Sequence, residues 1–97
     1  MVSYEVVLMK KALRDVSRLK EVHLSEKAKA LIQIIGENPY QNPPPFEKLV
    51  GDLGGLYSRR INMQHRLVYQ VLESEHTIKI LSMWTHYDFL SGDRIAR

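Results

Sequence analysis

The sequence predicts an α+β domain in which an antiparallel sheet packs on a layer of two helices, in the order β-α-α-β-β-β. Three observations carry this prediction. Two segments of helical period follow each other in the first half, runs of β-branched and aromatic residues gather in the second half, and the proline-rich stretch NPYQNPPPF separates the halves. At 97 residues the chain is read as one domain, 1–97, large enough to build its own hydrophobic core.

Ser3 to Met9, SYEVVLM, is short, β-branched and partly alternating, which predicts the first strand. From Lys10 to Val22 the period changes. Ala12, Leu13, Val16 and Leu19 recur at helical spacing, and Lys11, Arg14, Asp15, Arg18 and Lys20 are assigned to the solvent side. Ser25 is the expected cap of a second helix, with Glu26 in its first turn and Ala28, Leu31, Ile32 and Ile35 as its apolar stripe; Gly36 and Pro39 end it. Three consecutive prolines cannot join a central ladder and favour extended polyproline geometry, so Asn38 to Phe46 reads as a stiff connection that delivers Glu47 to a fixed place. Glu47 to Leu53 reads as a short helical turn or irregular segment, released by Gly54-Gly55 into a hairpin. The hairpin pairs Tyr57 to Ile61 with Arg66 to Leu72, and the polar turn Glu73 to His76 leads into a last strand over Thr77 to Trp84.

Composition narrows the function classes. The chain has no cysteine, which removes disulfides, thiol nucleophiles and thiolate metal sites together. No apolar run approaches the roughly 18 residues of a membrane span, and MVSYEVVLMKK lacks the order of a secretory signal, so a cytoplasmic protein without membrane contact is expected. His23, His65, His76 and His86 show no metal-ligand spacing. A net charge of +3 fits a polyanion or an acidic protein partner.

The stretch YSRRINMQHRLVY concentrates that charge. Arg59, Arg60, His65 and Arg66 lie within predicted strands, where charge suggests a sheet face that meets an anion; period-two alternation is expected to put Arg59 and Arg66 on the same side. The alternative is a solvated, salt-bridged edge hairpin. Glu47, Arg66, His86 and Tyr87 lie at the ends of different predicted elements, and together they supply what RNA cleavage requires. That reaction needs a base for the 2′-hydroxyl proton, a cation for the charge on the phosphate oxygens and an acid for the leaving 5′-oxygen, and an aromatic beside them can stack on an unpaired base.

From Glu47 to Tyr87 the pattern E-x-L, then YSRRIN, HRLVY and the terminal-strand pair HY resembles the YoeB/Txe family, toxins of bacterial toxin–antitoxin pairs within the wider RelE/ParE group. The resemblance implies a RelE-like fold and a ribosome-dependent mRNA endoribonuclease that inhibits translation by cleaving messages in the decoding site. It implies neither metal nor cofactor, in agreement with the histidine spacing, and acid–base chemistry with Glu47 as base, Arg66 as stabiliser of the transition state, His86 as acid and Tyr87 as an RNA contact. Arg59, Arg60 and His65 join as RNA-binding residues. The implied partners are the ribosome, mRNA and an acidic antitoxin of the YefM/Axe type, with DNA reached only through that antitoxin.

The alternative on the same fold is a ParE-like toxin that inhibits a topoisomerase without nuclease chemistry, and the Glu47, Arg66, His86 and Tyr87 set discriminates against it. One departure stands out. Family members stop at or just after the HY pair, whereas DFLSGDRIAR continues here as a C-terminal extension, 88–97, that is either solvated or folded over His86 and Tyr87.

Overall fold

The computed structural model describes residues 3–49 and 55–86, with Thr85 and His86 described by their backbone. Leu53, Gly54, Tyr87 and the extension 88–97 therefore lie outside the described residues. The order is β1 (Glu5–Leu8), α1 (Lys10–Glu21), α2 (Ser25–Glu37), β2 (Glu47–Lys48), β3 (Leu56–Arg60), β4 (His65–Leu72), a 3-10 turn (Glu73–Glu75) and β5 (Thr77–His86).

Both helices pack on a five-stranded sheet of order β1-β5-β4-β3-β2. Ala12 and Leu19 of α1 and Ala28, Leu31 and Ile35 of α2 meet Leu67, Tyr69, Val71, Ile78, Ile80 and Met83 in one core. Each fully buried Leu or Ile there contributes about 1.5–3 kcal/mol relative to exposure, which outweighs the modest helix propensity of these short segments. Among the described residues no helix is long and apolar enough to cross a membrane.

The α+β class and element order agree with the sequence, and four details differ. First, the sheet is mixed: β1 runs parallel to β5, with Glu5 opposite Thr77 and Leu8 opposite Ile80. The β3-β4-β5 meander leaves one edge of β5 open, and β1 fills it; a residue period specifies a strand but not its direction. Second, Glu47–Lys48 is a short edge strand, antiparallel to β3, rather than a helical turn. Third, Leu24 rather than Ser25 occupies the cap of α2, without a side-chain cap bond.

The fourth difference lies on α1. Leu13 is 56% exposed, whereas Asp15, assigned to the solvent side, is 2% exposed. Its Oδ2 accepts hydrogen bonds from the backbone N–H of Met83 at 3.0 Å and of Trp84 at 3.1 Å, and from Lys11 Nζ at 2.8 Å. A buried carboxylate persists only with such partners.

Among the described residues, Gly55 is the one glycine whose backbone requires it. Its φ is +80°, and a Cβ would stand 2.7 Å from the Val71 carbonyl oxygen. Free of that atom, it starts β3 close against β4, where the Val71 N–H donates to the Gly55 carbonyl at 2.8 Å.

Candidate active site

The site is built around a loop that wraps a cation. Arg59 is 1% exposed. Its Nη2 donates to the carbonyls of Pro39 at 3.0 Å and Gln41 at 2.9 Å, and its Nη1 donates to that of Pro44 at 2.6 Å. Its Nε donates to the Tyr69 hydroxyl at 3.2 Å, and that hydroxyl donates to Pro39 O at 2.7 Å. Three carbonyls converging on one guanidinium mean that the proline-rich segment curls around Arg59 instead of running straight. The ring of Phe46 lies 4.9 Å from the guanidinium, and Tyr40, Phe46 and Tyr57 pack edge to face around it. Burial pushes the Tyr69 phenol above its ordinary pKa, with the Arg59 charge pulling the other way.

The register corrects the expected arginine face. Arg60 stands opposite Arg66, and Arg59 stands opposite Leu67. Arg59 therefore points to the helix side of the sheet, away from Arg66. The turn decides this: Ile61 N donates to His65 O, and Asn62 Oδ1 accepts from the N–H groups of Gln64 and His65. A one-residue difference in such a turn moves every side chain of a strand to the other face.

On the opposite face the loop ends by delivering Glu47 to β2, opposite Ser58. Glu47 Oε1 accepts a hydrogen bond from Arg66 Nη1 at 2.9 Å, with 5% of the Arg66 side chain and 62% of the Glu47 side chain exposed. The pair borders a concave site of ≈ 210 Å³ lined by Pro45, Phe46, Glu47, Ser58, Arg60 and Arg66. Arg60 is exposed. Like charges directly across a sheet repel, so Arg60 and Arg66 side by side form a place where an anion is favoured.

The other predicted residues fall as follows. His65 is 5% exposed and its ring lies 4.1 Å from that of Trp84, with the Arg18 guanidinium 5.7 Å from the same indole. It is an interior residue at the junction of β4 and β5. His86 is the backbone partner of His65, one position along from the pairing of Arg66 with Thr85. The fold thus brings Glu47, Arg60 and Arg66 together and takes Arg59 away, while the His86 backbone is paired with His65, the neighbour of Arg66 along β4. Sequence reasoning passed over Ser58, which alternates with Arg60 in the period of two that places both in the groove.

Comparison with known proteins bears on this arrangement. Residues 10–87 match the family model for the YoeB-like toxin of bacterial type II toxin-antitoxin system. This chain belongs to that family. Among its YoeB relatives, Toxin YoeB of Synechocystis sp. is 36% identical over 73 residues, which are 75% of this chain and 76% of that protein. The fold is similar to that of the YoeB-YefM complex from Staphylococcus aureus, with a TM-score of 0.70, 32% identity, and coverage of 89% of this chain and 100% of that one. It is also similar to the archaeal RelE-RelB complex from Pyrococcus horikoshii, TM-score 0.71, 23% identity, over 86% of this chain and 94% of that one. The second likeness speaks to the fold alone, and it makes the YoeB-family chain RelE-like in architecture.

Proposed function

We propose that this YoeB-family toxin is an mRNA endoribonuclease that acts in the cytoplasm on translating ribosomes and is silenced by an acidic antitoxin of the YefM type. The observation that carries the reading is the contact between Glu47 Oε1 and Arg66 Nη1 at the edge of a concave site, with Arg60 across the sheet. A carboxylate and two guanidinium groups at one groove suit a phosphodiester. Glu47 takes the proton from the 2′-hydroxyl, whose oxygen then attacks phosphorus. Arg66 donates to the non-bridging oxygens as charge gathers there. His86 gives a proton to the departing 5′-oxygen, leaving a 2′,3′-cyclic phosphate and a free 5′-hydroxyl, and Tyr87 stacks on an unpaired base.

Arg60 is the exposed cation of the set and serves the RNA backbone; Arg59 and His65 support the scaffold. A topoisomerase inhibitor that works by binding alone has no chemical use for a base beside a guanidinium. The antitoxin reading is supported by the net charge of +3, which an acidic chain complements, and by the complex in which the Staphylococcus aureus relative was solved.

Primer extension on an mRNA translated by purified ribosomes tests the proposal. Discrete cleavage within translated codons is expected with the wild-type protein and its absence with Arg66→Ala. Cleavage of equal strength by Arg66→Ala would overturn the assignment.

A further inference from the structure

β5 does not run evenly against β4. Near the turn Leu72 pairs with Thr77 and Tyr69 with Ile80, so paired numbers sum to 149 (72 + 77 and 69 + 80). Val68 pairs with Ser82, sum 150, and Arg66 with Thr85 and His65 with His86, sum 151. The ladder thus shifts by one residue twice, each time by an extra residue in β5. An even ladder would have set His65 opposite Trp84 (149 − 65 = 84) and would have carried His86 two residues, about 6.6 Å, past the start of β4. The double bulge draws it back level with His65 and next to the Arg66–Thr85 pair.

Bulges leave backbone N–H groups without a partner on the neighbouring strand, and a buried N–H must be satisfied somewhere. Here the partner comes from a different element. The Met83 and Trp84 N–H groups, which lie within the second bulge, both donate to Oδ2 of Asp15 on α1. Ser82 Oγ lies 3.5 Å from the same oxygen, and Lys11 Nζ binds both Asp15 Oδ2, at 2.8 Å, and Ser82 Oγ, at 3.2 Å. One buried carboxylate oxygen therefore holds the strand in the conformation that sets the register of its last residues.

We propose that Asp15 is a positioning residue for the cleavage site: its carboxylate holds the double bulge of β5 and so keeps the His86 backbone opposite His65, one residue along from the Arg66–Thr85 pair. The register claim stands on the geometry alone, and its consequence for catalysis rests on the endoribonuclease reading. Loss of the carboxylate removes the acceptor of one buried and one half-buried N–H group, and the strand relieves this by shedding a bulge, which slides His86 along the sheet.

The test uses the full-length chain. In wild type, nuclear Overhauser contacts link the backbones of His65 and His86, and the single Trp, Trp84, supplies a fluorescence signature of the same place. Asp15→Ala is expected to replace the His65–His86 contact by one from His65 to Thr85 or Trp84 and to change the Trp84 emission. Asp15→Asn keeps an acceptor oxygen and is expected to retain the register. On ribosomes, Asp15→Ala is expected to lower kcat on the order of a hundredfold, the loss typical of a displaced general acid, with KM changed less than about twofold and with substantial rescue in Asp15→Asn.

A folded Asp15→Ala protein that keeps the His65–His86 contact overturns the proposal whatever its activity. A lost contact with unchanged kcat overturns the catalytic half. If Asp15→Ala does not fold, Asp15→Asn decides: its Met83 and Trp84 amide protons must move upfield and exchange faster, and wild-type shifts and exchange at both would overturn the proposal. A wild-type chain that folds with the His65–His86 contact but cleaves nothing would instead remove the endoribonuclease reading and leave the register result standing.

Discussion

Glu47 accepts a hydrogen bond from Arg66 across an edge of the sheet, yet the two residues stand in different solvents: the guanidinium is almost enclosed and most of the carboxylate is open to water. An ion pair with one exposed partner contributes little to stability, typically under about 1 kcal/mol. Glu47→Gln is therefore expected to melt within about 0.5 kcal/mol of wild type while losing cleavage. Arg66→Ala should lose roughly 10²- to 10³-fold in kcat, the loss seen for a preorganised donor to developing charge. Arg66→Lys should remain poor, because a point charge does not reproduce the planar fork. Urea melts beside single-turnover cleavage check both; equal losses in stability and activity for Glu47→Gln would place Glu47 in the scaffold instead.

Arg59 should behave in the opposite way. Its removal takes the guanidinium donor from the carbonyls of Gln41 and Pro44 and leaves that of Pro39 with the Tyr69 hydroxyl. Arg59→Ala is expected to lose about 3 kcal/mol or more of stability, and Arg59→Lys to recover little of it, since an ammonium cannot span the same carbonyls. The urea midpoint measures this. A normal midpoint with weakened RNA binding would return Arg59 to the surface role that the sequence suggested.

Gly55 gives a backbone prediction. Gly55→Ala must accept φ near +80° and a Cβ 2.7 Å from Val71 O, so a loss of roughly 1–2 kcal/mol is expected. Thermal melting against Gly36→Ala provides the contrast, because a Cβ at Gly36 meets only a side-chain methyl of Val6 at 3.2 Å. Equal melting temperatures would refute the strain argument.

Acid should loosen the clasp at the β4–β5 turn. Glu73 accepts hydrogen bonds from the Tyr40 and Tyr4 hydroxyls, and these bonds, Tyr40 first, hold its carboxyl below the ordinary value of 4.5. A carboxyl depressed in the folded state contributes stability that is present above the unfolded pKa and lost as pH falls through the folded one. The wild-type midpoint should therefore drop between roughly pH 5 and pH 3 more steeply than that of Glu73→Gln. Parallel curves for the two proteins would show that the clasp does not couple to folding.

How much of this was readable beforehand divides along physical lines. The layers followed from period: Ala12–Leu19 and Ala28–Ile35 declare helices, and Val68 to Leu72 and Ile78 to Ile80 declare strands. The groove was legible in part: Glu47 and Arg66, both singled out in the sequence, meet at its edge. Its arginine face was not, since the side on which Arg59 emerges depends on the number of residues in the 61–64 turn, a quantity the strand pattern does not contain. Asp15 was assigned to solvent by charge alone, although its spacing of three from Ala12 and four from Leu19 sets it on the buried stripe. The β5 bulges left no mark in residue type. They show only once strands are paired and the counts disagree.

The parallel pairing of β1 with β5 has a consequence in time. Glu5 meets Thr77, which lies 72 residues later (77 − 5), and a chain is synthesised from its N-terminus. While the helices, Glu47 and Arg66 have already emerged, β1 has no strand to join and α1 lacks the strand that its Asp15 binds. Such distant pairings form late. A nascent chain of this toxin thus passes most of its synthesis without a completed sheet. Chains arrested before Thr77 should accordingly be cut by protease throughout α1, and synthesis of β5 should be what ends that sensitivity.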